Sequence, residues 1–136
     1  MGQLVVVDPL ENGNLKPVVR RRATALRSAG EHPARATRQS FASRDLRHRT
    51  LDGHSFTLCD FRGADLRGAS LRGVSFAGCD LRDADLRDTD LSYARFSYVM
   101  THDPEYGRTD VTGARWNGAN LRGVTAERVI GWPNEL

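Results

Sequence analysis

A large apolar residue recurs at every fifth position through the middle of the chain. Twelve consecutive positions, which we call centres, hold leucine or phenylalanine: Phe41, Leu46, Leu51, Phe56, Phe61, Leu66, Leu71, Phe76, Leu81, Leu86, Leu91 and Phe96. The same spacing resumes at Val111, Trp116 and Leu121. A period of five fits neither an α-helix, with ~3.6 residues per turn, nor a flat strand, with a period of about two. The backbone must therefore turn a corner once per repeat.

The other positions of the repeat are also restricted. Two residues before the centre the side chain is small through the most regular stretch: Cys59, Ala64, Ala69, Val74, Cys79, Ala84, Thr89 and Ala94. Asp or Ser commonly precedes the centre and Arg often follows it. Glycine stands two residues after the centre at 63, 68, 73, 78, 113, 118 and 123, where it suits a corner because it accepts conformations that cost other residues.

This motif, as in Ala64-Asp65-Leu66-Arg67-Gly68, resembles that of the pentapeptide-repeat family over roughly residues 39–131. The resemblance implies an all-β solenoid, a right-handed four-sided parallel β-helix with one pentapeptide per side and about twenty residues per coil. We expect a β-helix at 39–136, with an irregular segment at 99–108 and a C-terminal cap. A basic N-terminal extension, 1–38, is expected to hold a short strand and a helix at about 17–29.

Both ends of the array depart from the motif. Four large polar residues occupy the small-residue position of the first repeats: Gln39, Arg44, Arg49 and His54. Because they would crowd a narrow interior, we expect residues 41–60 to form an irregular first coil that caps one end. At the other end we expect Trp132 to lie across the last coil. It would serve there as a hydrophobic lid or as a contact in a homodimer, since an open β-edge invites a second chain.

The segment 99–108 interrupts the pattern but occupies ten residues, so the five-residue spacing survives it. It is either two degenerate repeats or a loop. Pro104 would fall at an interior position and Thr101 is a poor core residue, which favours a partly extruded loop.

Positive charge is concentrated near the N-terminus. The net charge is +3, yet residues 1–40 contain seven basic and three acidic residues, and the rest of the chain is nearly neutral. The strongest cluster is Arg20, Arg21 and Arg22, which is either a solvated helix face or a contact for nucleic-acid phosphates or an acidic protein. The bias towards Arg, Ala and Gly, with Lys16 as the single lysine, suggests a bacterial protein.

Charges also repeat along the array. Stacking at a period of twenty predicts one outward column of Arg62, Arg82, His102 and Arg122. Arg67 and Arg87 stand on the neighbouring side, and each arginine can reach an aspartate of its own or an adjacent rung. This pattern is either a solvated salt-bridge lattice or a grid that recognises a charged partner. The irregular segment adds further candidate partner-binding residues: His102, Asp103, Tyr106 and Arg108.

Enzyme signatures are missing from the sequence. The four histidines are scattered, and neither a nucleophile elbow nor a glycine-rich phosphate loop is present, so we expect no catalytic residue, cofactor or metal. Cys59 and Cys79 should stack as buried free thiols, because the ~4.8 Å rise between coils exceeds the ~3.5–4.5 Å typical of disulfide Cβ atoms. Without a signal peptide or a membrane-spanning run, a cytoplasmic location is expected.

These features favour a non-enzymatic protein-interaction module built on a solenoid. The family resemblance implies an alternative, a DNA-mimicking protein that binds DNA gyrase and gives antibiotic protection. A second alternative is nucleic-acid binding through the basic N-terminal segment.

Overall fold

The computed structural model describes residues 34–103 and 106–134. The chain divides into two units, Met1–Ala34 and Arg35–Leu136, and the β-helix belongs to the second. Its single sheet contains five short parallel strands in chain order: β1 (Arg35–Thr37), β2 (Ser55–Thr57), β3 (Ser75–Ala77), β4 (Arg95–Ser97) and β5 (Thr125–Ala126). None of the described residues forms a helix. The helix expected at about 17–29 and the short strand before it lie outside the described residues.

The coils stack at the predicted spacing of twenty. Ala36 pairs with Phe56, and Phe56 with Phe76, in parallel register. The other sides continue as single parallel bridges, such as Ser40 with Asp60. An all-β solenoid with one pentapeptide per side is therefore confirmed.

We number the four sides in chain order. Side 1 carries the five strands. Side 2 is centred on Phe41, Phe61, Leu81 and Val111. Side 3 is centred on Leu46, Leu66, Leu86 and Trp116. Side 4 is centred on Leu51, Leu71, Leu91 and Leu121.

The core is the lattice predicted from the sequence. All twelve leucine and phenylalanine centres are at most 2% exposed, and the eight small positions from Cys59 to Ala94 are buried as well. On side 1 the rings of Phe56, Phe76 and Phe96 stack with centroids 5.6 and 5.3 Å apart. Each such side chain contributes about 1.5–3 kcal/mol through burial, which offsets part of the conformational entropy lost when its repeat is ordered.

The corners use a left-handed backbone. All seven glycines predicted to stand at corners have positive φ, and so do eight described residues other than glycine, including Tyr93. A corner side chain leans over the glycine of the next coil. A Cβ at Gly123, for example, would lie 2.5 Å from Cδ1 of Tyr93. Glycine is needed there both for its conformation and for the space it leaves.

The first coil begins earlier than the repeat pattern indicated. β1 starts at Arg35, and Ala36 is buried as a centre five residues before Phe41. At the small-residue positions of this coil, Arg44 and Arg49 are half-buried. His54 is buried, with Nδ1 3.3 Å from the carbonyl oxygen of Asp52. The solenoid therefore admits large polar side chains near this end.

The fourth coil contains the break in the repeat. β4 pairs with β5 at a spacing of thirty, and Asp80 pairs with Asp110 at the same spacing. The ten extra residues leave the coil at Tyr98 and return at Arg108, where these two form an antiparallel bridge. The segment is thus an extruded loop, which we call the corner loop (98–108), and not two degenerate repeats.

Candidate functional site

Sides 2 and 3 carry an ordered array of ion pairs, which we call the Asp–Arg ladder. It consists of five pairs, each flanking a centre on one of these two sides: Asp45 with Arg47, Asp60 with Arg62, Asp65 with Arg67, Asp80 with Arg82, and Asp85 with Arg87. The two residues of a pair project to the same side because they are two apart on an extended backbone. The predicted pairing within a rung is confirmed.

Each pair is held by at least two side-chain hydrogen bonds and by one from the arginine main-chain N–H to the aspartate. In the rung of side 2, Nε of Arg62 donates to Oδ1 of Asp60 at 3.0 Å and its Nη2 donates to Oδ2 at 2.8 Å. The same arginine lies 3.7 Å from Oδ2 of Asp80 in the next coil. A guanidinium thus bridges two stacked carboxylates and reduces the repulsion between them.

The ion pairs lower the pKa values of aspartates in the ladder. The side-chain hydrogen bond from Arg47 lowers the pKa of Asp45 to about 2. Hydrogen bonds from the arginine of the same rung also lower the pKa of Asp60, Asp65 and Asp85. The carboxylates are therefore ionised and largely neutralised by their partners at physiological pH.

The predicted arginine column is only partly correct. Arg62 and Arg82 stack on side 2, and Arg67 and Arg87 stack on side 3. Arg122 instead follows Leu121 on side 4, in line with Ser92, because Asp90 pairs with Asn120. It lies on the side opposite Arg82. The prediction was wrong because it counted the ten extra residues in the corner loop as part of a coil.

The prediction also placed His102 wrongly in the arginine column. This residue is exposed in the corner loop and belongs to no column. Asp103, Tyr106 and Arg108 lie in the same loop. The N-terminal cluster Arg20, Arg21 and Arg22 lies outside the described residues.

The corner loop is attached to the solenoid by specific contacts. Val99 N–H donates to the carbonyl of Gly107 at 2.7 Å, and Arg108 Nε donates to the carbonyl of Arg128 at 2.7 Å. The hydroxyl of Tyr106 accepts a hydrogen bond from Nη1 of Arg38 at 3.4 Å. The loop therefore folds back along the corner between sides 1 and 2, towards the first coil.

Beside the corner loop runs an open groove of about 380 Å³. Tyr106 and Arg108 form its loop wall. Its floor is the edge of side 2, where three stacked carboxylates lie: Asp60, Asp80 and Asp110. On the loop itself Met100 is 79% exposed and Tyr106 is 55% exposed, so two large apolar side chains face solvent.

Two further predictions concern Trp132 and the cysteines. The ring of Trp132 lies 5.2 Å from that of Phe96 and 5.4 Å from that of Trp116, so it packs over the aromatic column near the C-terminal end. Cys59 and Cys79 are buried free thiols in successive coils. Their sulfurs donate to the carbonyls of Ala36 and Phe56.

Sequence reasoning missed two features. Thr109 is fully buried at the base of the corner loop, and Tyr93 is exposed at the corner between sides 4 and 1. Tyr93 could have been noticed because the same corner in three other coils is glycine, at 53, 73 and 123. Thr109 lies two residues before Val111, at a small-residue position, but its hydrogen bonds could not be predicted because they depend on where the loop closes.

Comparison with known proteins agrees with this geometry. Residues 56–100 match a family profile described as pentapeptide repeats, with nine copies. No curated protein sequence matches the chain significantly. Together, the matched repeats and the four-sided coil identify the described solenoid as a pentapeptide-repeat β-helix.

Solved structures with similar folds include a pentapeptide-repeat protein, Rfr23, from the cyanobacterium Cyanothece 51142. It is 20% identical with a TM-score of 0.59, covering 77% of this chain and 68% of its own. A pentapeptide-repeat protein from the Arabidopsis thaliana thylakoid lumen is 25% identical with a TM-score of 0.42, covering 63% and 57%. QnrB1, a plasmid-mediated fluoroquinolone resistance protein, is 20% identical with a TM-score of 0.34, covering 70% and 61%.

Two negative findings bound the chemistry of the described residues. No group of three or more His, Cys, Asp or Glu side chains among them is placed to hold a metal ion. No helix in that part of the chain is both long and apolar enough to traverse a bilayer.

Proposed function

We propose that the solenoid is a non-enzymatic protein-interaction module and that the corner loop, with the groove beside it, is its main contact surface. The main support for this proposal is that Met100 and Tyr106 are exposed on a loop that lies outside the coil. Methionine, tyrosine and arginine are enriched at protein interfaces. A regular β-helix of this length has no structural need for two solvated apolar side chains on an extruded segment.

The attachment of the loop supports the same proposal. The bridge between Tyr98 and Arg108 and the hydrogen bond from Arg108 to Arg128 fix both arms of the loop before a partner arrives. A surface that is already ordered loses less conformational entropy on association. The groove of about 380 Å³ is open and lined by both charges and an aromatic ring, which fits a protruding side chain of a partner protein.

The test is affinity purification with crosslinking from cells that express the protein naturally. Full-length protein is compared with a loop variant, Met100→Ser with Tyr106→Ala, whose two side chains are exposed and should not affect folding. A ladder variant, Arg67→Gln with Arg87→Gln, tests the alternative that the charged grid on side 3 is the contact. We expect a specific partner that is lost with the loop variant and kept with the ladder variant. Recovery of the same proteins with all three would refute the proposed surface.

The second candidate is topoisomerase protection by DNA mimicry, which the extruded loop favours as a contact element. A mimic of duplex DNA needs carboxylates that are free to meet basic residues of the enzyme. The aspartates of the ladder are instead bound by arginines of their own rungs. A supercoiling assay with DNA gyrase, with and without a quinolone, decides this candidate. Absence of any effect at micromolar protein would eliminate it.

Association of two copies is a separate part of the proposal. In the last coil Leu121 and Val124 are only half-buried, and Trp132 covers neighbouring rings without being fully buried itself. Apolar side chains at an open end favour contact with a second copy. Sedimentation analysis of wild type and Trp132→Ala distinguishes the two roles. If Trp132 is a dimer contact, the substitution weakens association; if it is a lid, the substitution lowers the stability of the fold and leaves association unchanged.

A further inference from the structure

Side 1 differs in charge from the sides that carry the Asp–Arg ladder. Among its described flanking residues Glu127 is the one carboxylate. The cations are Arg35 in the first coil and Arg95 in the fourth, with hydroxyl side chains between and around them: Thr37, Ser55, Thr57, Ser75, Ser97 and Thr125. Arg38 and Arg128 stand at the corner next to side 2. This side therefore presents guanidinium and hydroxyl groups with little negative charge.

An exposed aromatic ring stands at the other corner of side 1. Tyr93 is 58% exposed and has φ of 61°, although glycine fills this corner in the coils below and above. A tyrosine in the left-handed region costs stability that glycine would not. Its ring lies over Gly123, and Cζ of Arg122 is 6.0 Å from the ring centroid. A costly residue with an exposed ring suggests selection for something other than folding.

A matching pair lies across the same side. Cζ of Arg128 is 4.7 Å from the centroid of the Tyr98 ring, at the corner where the corner loop begins. Arg95 lies between the two rings along the chain. Among the described residues, none of Arg95, Arg122 and Arg128 has a carboxylate within 4 Å. These guanidiniums are therefore available to an external anion, unlike those of the ladder.

We infer that side 1 is a binding surface for single-stranded nucleic acid, independent of the proposed protein contact at the corner loop. Sites of this class combine positive charge that follows the phosphate backbone with aromatic rings on which unpaired bases stack. Tyr93 supplies the ring at one corner. Arg95 supplies charge on side 1 itself, and Arg122 on side 4 and Arg128 at the corner next to side 2 supply it at the two edges. From Arg95 to Arg35 the side runs for three rungs, about 14 Å at ~4.8 Å per rung.

Single strands fit this side better than a duplex does. Side 1 consists of short parallel strands, and nothing on its described strands projects as a helix or ribbon that would enter a major groove. Stacking on Tyr93 requires a base that is free of its own helix. An acidic protein would also be attracted by the guanidiniums, but its binding would not require stacking on an exposed ring. It is therefore an alternative outcome of the test.

The experiment is fluorescence anisotropy with a labelled oligothymidylate of about fifteen nucleotides and the full-length chain, over a range of salt concentrations. With three or four phosphates neutralised, log K should fall with log salt at a slope of about −2 to −3. Arg95→Gln should reduce that slope by about 0.7. Tyr93→Gly should weaken binding by about tenfold or more at an unchanged slope, because it removes stacking but no charge.

Matched variants keep the test decisive. Tyr93→Gly restores the residue that this corner has in other coils, so the variant should fold, and its thermal transition verifies this. Arg87→Gln removes the same charge from side 3 and should leave affinity within about twofold. Substitution of Arg20, Arg21 and Arg22 by glutamine in the full chain tests the basic extension separately.

Four results would overturn the inference. They are absence of binding, binding that Tyr93→Gly and Arg95→Gln leave unchanged, binding that depends only on the Arg20–Arg22 substitutions, and a preference for duplex over single strand. A polyglutamate competitor that displaces the oligonucleotide and binds with the same dependence on Tyr93 and Arg95 would assign side 1 to an acidic protein instead.

Discussion

The hydroxyl of Thr109 donates a hydrogen bond of 2.7 Å to the main-chain carbonyl of Ser97, across the base of the corner loop. The same oxygen accepts a hydrogen bond of 3.1 Å from the N–H of Cys79. Thr109 thus occupies a small-residue position of the interior and at the same time satisfies backbone groups where the chain leaves and re-enters the coil. One side chain therefore contributes both to closure of the loop and to continuity of the core.

Replacement of Thr109 by valine should reduce the free energy of unfolding by about 1–3 kcal/mol, because valine fills the space but leaves buried backbone groups unsatisfied. Urea denaturation provides the measurement. Thr109→Ser retains the hydroxyl and should lose less. Equal stability of the valine variant and the wild type would show that the hydrogen bonds contribute nothing.

Substitution of two glycines tests the corner loop and the solenoid independently. A Cβ at Gly107 would lie 1.8 Å from the carbonyl oxygen of Val99, whereas a Cβ at Gly73 would meet nothing within 4 Å. Gly107→Ala should therefore displace the loop and accelerate its cleavage in limited proteolysis. Gly73→Ala, at φ of 64°, should cost about 1–2 kcal/mol of stability through its backbone and leave loop cleavage unchanged. Identical cleavage in both variants would contradict this distinction.

Acid should destabilise the β-helix through the Asp–Arg ladder. The pKa values of Asp45, Asp60, Asp65 and Asp85 are lower in the folded protein than the ~3.9 of an unfolded aspartate. The stability they contribute is therefore fully present above about pH 4–5 and is lost as the pH falls through the folded values, towards about 2 for Asp45.

Urea midpoints measured between pH 7 and pH 2 test this dependence. In Arg67→Gln the pKa of Asp65 should return towards its ordinary value, so the loss of stability below pH 5 should be shallower than in the wild type. A profile that is flat throughout, or the same in both proteins, would show that the ladder is too solvated to matter.

The two thiols should be unreactive while the protein is folded. Burial raises the pKa of the Cys79 thiol, and its sulfur donates to the Phe56 carbonyl at 3.2 Å. Thiolate, the reactive form, is therefore scarce at Cys79, and burial shields the sulfur of Cys59, so reaction with a disulfide reagent should be slow in buffer and rapid for both cysteines in concentrated urea. Fast native reaction of either thiol would place it outside the core.

Much of the fold could be predicted from the sequence. The twelve leucine and phenylalanine centres, the eight small positions and the glycine corners all follow from a five-residue period and are as expected, whereas the later centre Leu121 is only half-buried. The start of the first coil was harder to see, because Ala36 is too small to stand out as a centre. Of the candidate site residues, the ladder arginines were placed correctly in their rungs, whereas Arg122 and His102 were not.

The difference has a physical origin. By itself the sequence determined which side chains point inward along the regular array, since large apolar centres and small residues at a strict period fill a narrow interior. The five-residue period is the same whether ten residues lie inside a coil or outside it. The sequence therefore could not determine on which side of the solenoid each later residue lies. Only the tertiary structure decided this, through the loop that Thr109 closes and the thirty-residue pairing of β4 with β5. It placed Arg122 against Tyr93 and turned side 1 into a surface that the repeat pattern did not reveal.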